Sequence, residues 1–419
     1  MTETKQEKER VIIVGVEHEG NYQYFEESML ELKNLTKTAE GEVVFSLTQK
    51  RPQIDRRTVI GKGKIAELVT LIETYEANLV IFNHELTPRQ SQTIGDALGI
   101  PVIDRVQVIL DIFAMRARSK EGKLQVELAQ LEYLLPRLMG QGKMMSRLGG
   151  GIGTRGPGET KLETDRRHIR NKVTIIKKEL KEVEAHRTRT RQKRQTNDTF
   201  QIGLIGYTNA GKSTILNALT KAQTYEEDQL FATLDPLTKK WRLPEGIEVT
   251  LTDTVGFIQD LPTQLINAFQ STLEESKGMD LLLHVVDASS ENRQQHEETV
   301  TKLMDELDLS QIPVLTVYNK SDKIANPLQF VPTLFPSVLV SAKTTRGKEQ
   351  LSQAIKLKMM EILQPYTLEL GPEEGKLLNQ LQRETLLLSS EFNEEEQSYF
   401  LKGFAFPQSI AIRRMEKSE

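Results

Sequence analysis

The chain contains no cysteine. Disulfide bridges and thiolate metal centres are therefore excluded. No apolar run approaches the roughly 20 residues that a bilayer-spanning helix needs, and the first ten residues, MTETKQEKER, lack the apolar centre of a signal peptide. The expectation is a cytoplasmic protein with no membrane span. A strong net charge is missing too: 55 Lys and Arg stand against 59 Asp and Glu, a balance of −4. That total excludes a global field for gathering polyanions, but it hides where the positive charge sits. No internal repeat and no low-complexity tail occur, so a solenoid array is excluded as well.

What is present is a chain of 419 residues, 38% hydrophobic and 27% charged. That composition is ordinary for globular protein, and the length calls for two to four domains. Residues 1–117 alternate β-like runs (VIIVGV, VVFSLT, LVIFN, IPVID) with helix-like stretches such as KIAELVTLIETYE, which predicts an N-terminal α/β domain with a largely parallel sheet. Residues 118–196 change character. Leu124, Leu128, Leu131 and Leu135 recur at helical spacing, as do Ile169, Val173, Ile176, Leu180 and Val183. Two long antiparallel helices zipped along these stripes form a hairpin, and the glycine-rich RLGGGIGTRGPGETKLETDRR lies at its tip. Residues 197–364 return to an α/β pattern, and 365–419 form a small α+β domain with FLKGFAF and SIAIRR as its strand candidates.

The second α/β region carries the most legible chemistry. FQIGLIGYTNAGKSTILNAL is a β-like run, a GxxxxGKS loop and an amphipathic helix, the context in which successive backbone N–H groups face phosphates at a helix N-terminus. Gly206, Tyr207, Thr208, Asn209, Ala210, Gly211, Lys212, Ser213 and Thr214 line it. Lys212 is expected to bridge the β- and γ-phosphates, and the Ser213 hydroxyl to bind Mg²⁺. VTLTDTVGF follows with a DxxG of Asp253, Thr254, Val255 and Gly256, in which Asp253 reaches Mg²⁺ through water and the Gly256 N–H meets the γ-phosphate. VLTVYNKSD ends another strand with Asn319, Lys320 and Asp322 at the sheet edge, where ligands of open α/β folds sit. Asp322 would accept the ring N–H and the exocyclic amino group of guanine, which makes GTP and GDP the expected nucleotides. Ser341, Ala342 and Lys343 of VLVSAKT supply a turn for the base oxygen. Between the loop and DxxG, FATLDPLTKKW offers Phe231, Ala232 and Thr233 as a segment closing on Mg²⁺. Thr233 is preferred to Thr238, which belongs to the incoming strand. Lys212, Thr233 and Gly256 are the expected catalytic set.

One residue is missing from that set. Where many GTPases carry a Gln to orient the attacking water, the residue after Gly256 is Phe257, and an apolar ring cannot hydrogen-bond water. Slow hydrolysis by the free protein and stimulation by a partner are expected. Asn209 has two readings, a ligand for a monovalent cation such as K⁺ or a residue that caps the loop. GKGK, Gly61 to Lys64, lacks the rest of a Walker motif; a second phosphate-binding turn and an RNA contact stay open beside the preferred reading, a plain strand-to-helix turn. Neither Asp104 nor His84 has an arguable partner.

The glycines of the tip segment allow close approach to RNA without side-chain clashes, while Arg147, Arg155, Lys161, Arg166 and Arg167 can neutralise phosphates. Gly150 and Gly151 sit at its centre. Basic residues continue through Arg187, Arg189, Arg191, Lys193 and Arg194.

Taken together, GYTNAGKST, FATLDP, DTVGFI with LPTQLINAFQSTLEE, NKSD, SAK, GKGKIAEL and above all GGGIGTRGPGETKLETDRR resemble the HflX family of ribosome-associated GTPases. The last fifty or so residues match loosely. The resemblance implies a monomer that binds the large ribosomal subunit, with the glycine loop near the peptidyl-transferase rRNA. It further implies that the protein splits or rescues stalled or idle ribosomes and hydrolyses GTP under ribosomal stimulation. It also implies ATP binding and action on RNA by the N-terminal domain. An ATP-driven rRNA-remodelling enzyme regulated by GTP, and a signalling switch with a protein effector, stay open beside it.

Overall fold

A computed structural model describes residues 8–148, 157–195, 199–220, 230–231, 236–258, 274–394 and 397–418. They divide into two compact units, one ending at Val183 and the other beginning at Glu184. None of the described helices is long and apolar enough to cross a membrane.

In the first unit β1 (Arg10–Glu17), α1 (Phe25–Thr38), β2 (Glu42–Lys50), α2 (Lys62–Tyr75), β3 (Leu79–Phe82), α3 (Pro88–Leu98), β4 (Val102–Asp104) and α4 (Arg105–Arg116) follow one another. The strands form one parallel sheet in the order β2-β1-β3-β4. Crossover helices cover both faces of such a sheet, which is why VIIVGV carries no polar alternation and is buried from end to end. GKGK does not follow a strand directly: β2 ends at Lys50, a loop holding the Asp55–Val59 bridge intervenes, and Gly61 stands just before α2, its N–H donating to the Gln49 side chain at 2.9 Å.

Asp104, which the sequence left without a partner, is a buried junction. One carboxylate oxygen accepts from the Gln107 N–H (3.0 Å) and the Tyr133 hydroxyl (2.8 Å), the other from the Leu86 N–H (2.8 Å) and Arg137 (3.1 Å). The Arg137 guanidinium lies 3.3 Å over the Tyr133 ring. Burial, reinforced by the Asp104 charge, pushes the Tyr133 hydroxyl well above its ordinary pKa. Tyr133 and Arg137 belong to α5 (Lys120–Leu148), so the junction fastens that long helix to the α/β core. Gln125, Val126, Leu128, Ala129 and Tyr133 are among its buried positions, while Leu124, Leu131 and Leu135 of the expected stripe are half-buried. On α6 (Pro157–Gln195), Ile176 is buried, while Ile169, Val173, Leu180 and Val183 are half-buried, the stripe expected from the spacing. Ion pairs Lys120–Glu179 (3.7 Å), Lys177–Glu132 (2.8 Å) and Lys172–Glu127 join the two helices.

The second unit holds a sheet of order β10-β9-β8-β5-β7-β6, built from β5 (Gln201–Gly206), β6 (Leu237–Arg242), β7 (Glu248–Asp253), β8 (Leu281–Asp287), β9 (Val314–Asn319) and β10 (Ser337–Leu339). All pairings are parallel except β6 on β7. Helices α7 (Lys212–Thr220), α8 (Arg293–Glu306) and α9 (Thr345–Ile362) connect or follow these strands. The chain enters at β5, builds one side, then crosses to β8 on the other, so the topological switch point lies between β5 and β8.

A three-stranded antiparallel sheet of β11 (Gln364–Leu370), β12 (Leu386–Asn393) and β13 (Ser398–Ala405), with α10 (Gly375–Glu384) and α11 (Ile410–Ser418), completes the unit. FLKGFAF is β13 as expected, but SIAIRR is helical. Ala411, Ile412 and Met415 pack on the small core at helical spacing, whereas Ile410 is exposed, so the apolar alternation that suggested a strand does not match burial. Leu386 joins the core of the larger sheet, and the Phe200 and Phe406 rings stack 5.7 Å apart.

Candidate nucleotide site

Residues from five strand ends meet at the carboxyl edge of the larger sheet. Beyond β5 the chain turns through Gly206 (φ 151°), Asn209 (φ 60°) and Gly211 (φ 99°) before α7 begins. At Gly211 both conformation and space demand glycine, since a Cβ would stand 2.3 Å from Asn319 Nδ2. Asn209 adopts the left-handed region that Asn tolerates better than most residues, a structural reason for its presence. The Gly211→Ala variant should lose about tenfold or more in nucleotide affinity, because the methyl group displaces Asn319 and strains the backbone. Titration with a fluorescent GDP analogue measures this, and wild-type affinity would contradict it.

Lys212 is buried, and its Nζ donates to the Gly206 carbonyl at 3.1 Å and the Tyr207 carbonyl at 3.0 Å. Burial lowers its pKa to about 8; Lys320 pushes the same way and Asp253 against. The Ser213 hydroxyl donates to Asp253 at 2.7 Å, joining the first turn of α7 to the end of β7. Thr214 is half-buried in that turn. In DxxG, the Thr254 hydroxyl donates to the Leu204 carbonyl (2.7 Å) and Val255 is buried, so these two side chains serve packing. Gly256 lies against the phosphate loop, where a Cβ would come within 2.8 Å of Thr208 Cγ2 and 3.1 Å of Lys212 Nζ.

Phe257 is buried and paired with the loop through its backbone: its N–H donates to Gly206 (3.1 Å) and its carbonyl accepts from Thr208 N–H (2.7 Å). The Tyr207 ring stacks on His296 of α8, with centroids 3.9 Å apart. No spacing in the sequence signals that contact.

Asn319, Asp322, Ser341 and Ala342, the candidates for holding the base, lie beside one another at this edge. Asn319 donates from Nδ2 to the Ala210 carbonyl (3.0 Å) and accepts from the Ala342 N–H (3.1 Å), tying two loops together. Lys320 donates to the Asn209 carbonyl at 2.6 Å and pairs with Asp287, the last residue of β8, at 2.8 Å. Ser341 donates to Asp322 at 2.5 Å, a bond that holds the Asp322 carboxyl below its ordinary pKa and leaves it an anionic acceptor. Lys343 is exposed. Thr238 lies in β6, its hydroxyl 2.9 Å from that of Thr252, as expected of a strand residue. Phe231 is buried with φ 56°; Ala232 and Thr233 lie outside the described residues, as do Gly150, Gly151, Arg155 and the side chains of Arg147 and Lys161. Arg166 is half-buried and Arg167 exposed on α6.

Three family models match the chain: the GTP-binding GTPase N-terminal region over residues 26–114, the GTP-binding GTPase middle region over 116–194, and a 50S ribosome-binding GTPase over 201–320. GTPase HflX of Alkalihalophilus pseudofirmus is 52% identical over 98% of this chain and 96% of its own length. GTPase HflX of Escherichia coli K12 is 40% identical over 90% of this chain and 89% of its own. A solved structure, a GTP-binding protein from the archaeon Sulfolobus solfataricus in complex with GDP, aligns at a TM-score of 0.45 and 24% identity over 84% of this chain and 98% of that one. Likeness to the curated proteins at such identity, maintained through the N-terminal and middle regions as well as the nucleotide-binding one, makes this chain a member of the HflX family of GTPases.

Proposed function

We propose that this GTPase binds the large ribosomal subunit through its glycine- and arginine-rich segment and uses the GTP cycle to split or rescue stalled or idle ribosomes. In this reading Lys212 neutralises the β- and γ-phosphates, and the Gly256 N–H and Thr233 close on the γ-phosphate. Asn319, Asp322 and the Ser341–Lys343 turn hold guanine. P-loop GTPases use Mg²⁺, and the donors suit it: the Ser213 hydroxyl and the Asp253 carboxylate are hard oxygen groups set beside the phosphate loop. When bound, the ion neutralises charge on the phosphate oxygens; Ser213, Asp253 through water, and Thr233 would hold it. Asn209 would help hold K⁺ near the same phosphates if it serves as a cation ligand and not as a cap of the loop.

The observation that carries the need for a partner is Phe257. It stands where a water-orienting side chain would, is buried, and is hydrogen-bonded by its backbone to the phosphate loop. Residues of this chain supply charge neutralisation, but the described ones supply no polar side chain at that position, so hydrolysis waits on a surface that reorders the segment. The match to a 50S ribosome-binding GTPase model supports the large subunit as that surface.

Purified large subunits should raise GTP turnover by about tenfold or more, since electrostatic and positioning effects of this kind contribute several kcal/mol. GTP and ATP turnover measured with and without subunits tests it, and fast hydrolysis by the free protein would count against it. Exchanging sodium for potassium should raise the rate if Asn209 is a cation ligand, and equal rates would retire that role. ATP turnover stimulated by subunits while GTP turnover stayed constant would favour the RNA-remodelling reading instead.

A further inference from the structure

Asp287 lies outside every motif of the nucleotide site, yet it faces one of them. Lys320 occupies the left-handed region (φ 62°), a conformation that a long side chain adopts only when its surroundings hold it. Its ammonium reaches across to the carbonyl of Asn209, itself left-handed at φ 60°. The other strong partner of that ammonium is the Asp287 carboxylate at 2.8 Å, and both side chains are largely buried, 17% and 22% exposed. Asp287 is in turn fixed from its own turn, accepting from Ser289 N–H at 3.0 Å and Ser289 Oγ at 2.6 Å. The Ala288 N–H donates to the Asn319 carbonyl at 2.9 Å, which locks that turn to the end of β9.

We propose that Asp287 is a positioning residue for guanine nucleotide binding. It holds Lys320 in the one arrangement that braces the base-reading loop against the phosphate loop. The proposal rests on the assignment of Asn319–Asp322 to the guanine base. The chemistry is a charge-assisted bond sheltered from water, where removing the anion leaves a mostly buried ammonium with one neutral acceptor. Such an ammonium turns towards solvent, the Lys320–Asn209 bond opens, and the two loops move independently. Nucleotide then pays in lost preorganisation, which appears in retention and not in the chemical step. Burial works to raise the Asp287 pKa, but the hydrogen bonds and charge of Lys320 and Ser289 outweigh it, and the carboxyl stays anionic.

The experiment is release of a fluorescent GDP analogue, with steady-state GTP turnover, in Asp287→Ala, Asp287→Asn, Ser289→Ala, Lys320→Ala and the Asp287→Ala/Lys320→Ala pair. Asp287→Ala should release nucleotide about tenfold faster or more and raise KM in step, with kcat at saturating GTP held within about twofold. Asp287→Asn should fall between wild type and Asp287→Ala, and the double variant should be no faster than Lys320→Ala, because the two residues act as one element. Wild-type release by a folded Asp287→Ala, or effects of the two substitutions that multiply, would overturn the proposal. If Asp287→Ala does not fold, Ser289→Ala decides. Release about threefold faster supports the brace, and wild-type release overturns it. An Asp322→Ala control separates the two layers. If it loses guanine retention while Asp287→Ala keeps it, only the brace falls; if it retains guanine like wild type, the base assignment falls and the brace with it.

Discussion

Lys212→Ala should lower GTP turnover by about a thousandfold or more, the scale on which losing a preorganised charge at a reacting phosphate is felt. The ammonium is already desolvated and aimed by two carbonyls, so it needs no reorganisation when phosphate arrives. Steady-state turnover with a thermal unfolding control measures the effect, and near-normal turnover would remove Lys212 from the chemistry. The same burial predicts a proton effect. A lysine whose pKa is lowered to about 8 in the empty fold binds fewer protons than its unfolded counterpart between about pH 8 and 10.5. Through that window the empty protein therefore gains stability from this group as pH rises, and it loses that gain as pH falls through 8. Phosphate anions favour the charged form and raise the pKa again. Binding of GDP above pH 8 should thus take up protons, seen by calorimetry in two buffers of different ionisation enthalpy. Buffer-independent heats would show that the lysine stays charged throughout.

Deleting Gly150–Pro157, or changing Arg147 and Arg155 to Glu, should abolish ribosome splitting and weaken large-subunit association while GDP affinity stays at the wild-type level. Charge reversal replaces phosphate neutralisation by repulsion. Each lost phosphate contact should also flatten the salt dependence of binding by about one unit of logarithmic slope. Sedimentation of the variants with purified subunits across a salt series reads both effects. Undiminished association with an unchanged slope would mean that the glycines merely link two helices.

The nucleotide edge was legible because its chemistry is local in sequence. A phosphate loop needs glycines where the backbone turns left-handed, and Gly206 and Gly211 stand there with φ of 151° and 99°. Thr238 was readable as strand for a similar reason, lying in an unbroken run that pairs with β7. Asp104 could not be read that way. Its donors Leu86, Tyr133 and Arg137 lie 18, 29 and 33 residues distant, and no periodicity announces a hydrogen-bonded junction at such separations. Asp287 was hidden differently: DASS looks like an ordinary polar turn, and only the pairing of β8 with β9 brings it beside Lys320. SIAIRR misled because isoleucines two apart satisfy a strand pattern while Ala411, Ile412 and Met415 satisfy a helical one.

The Asp104 junction has a mechanical consequence. It grips α5, a helix of 29 residues, near the middle, and the part beyond Arg137 extends about 17 Å at 1.5 Å per residue. Asp104, Arg137 and Tyr133 fix the mounting at two points four residues apart, one helical turn, on a carboxylate that also closes the Leu86 turn and the first turn of α4. The turn of α5 between Tyr133 and Arg137 also holds Pro136, which has no N–H for the helical ladder, so the junction braces α5 where its own backbone bonding is interrupted. The carboxylate of this brace is fully buried and its guanidinium mostly so, and added salt therefore screens the pair less than it screens charges on the surface.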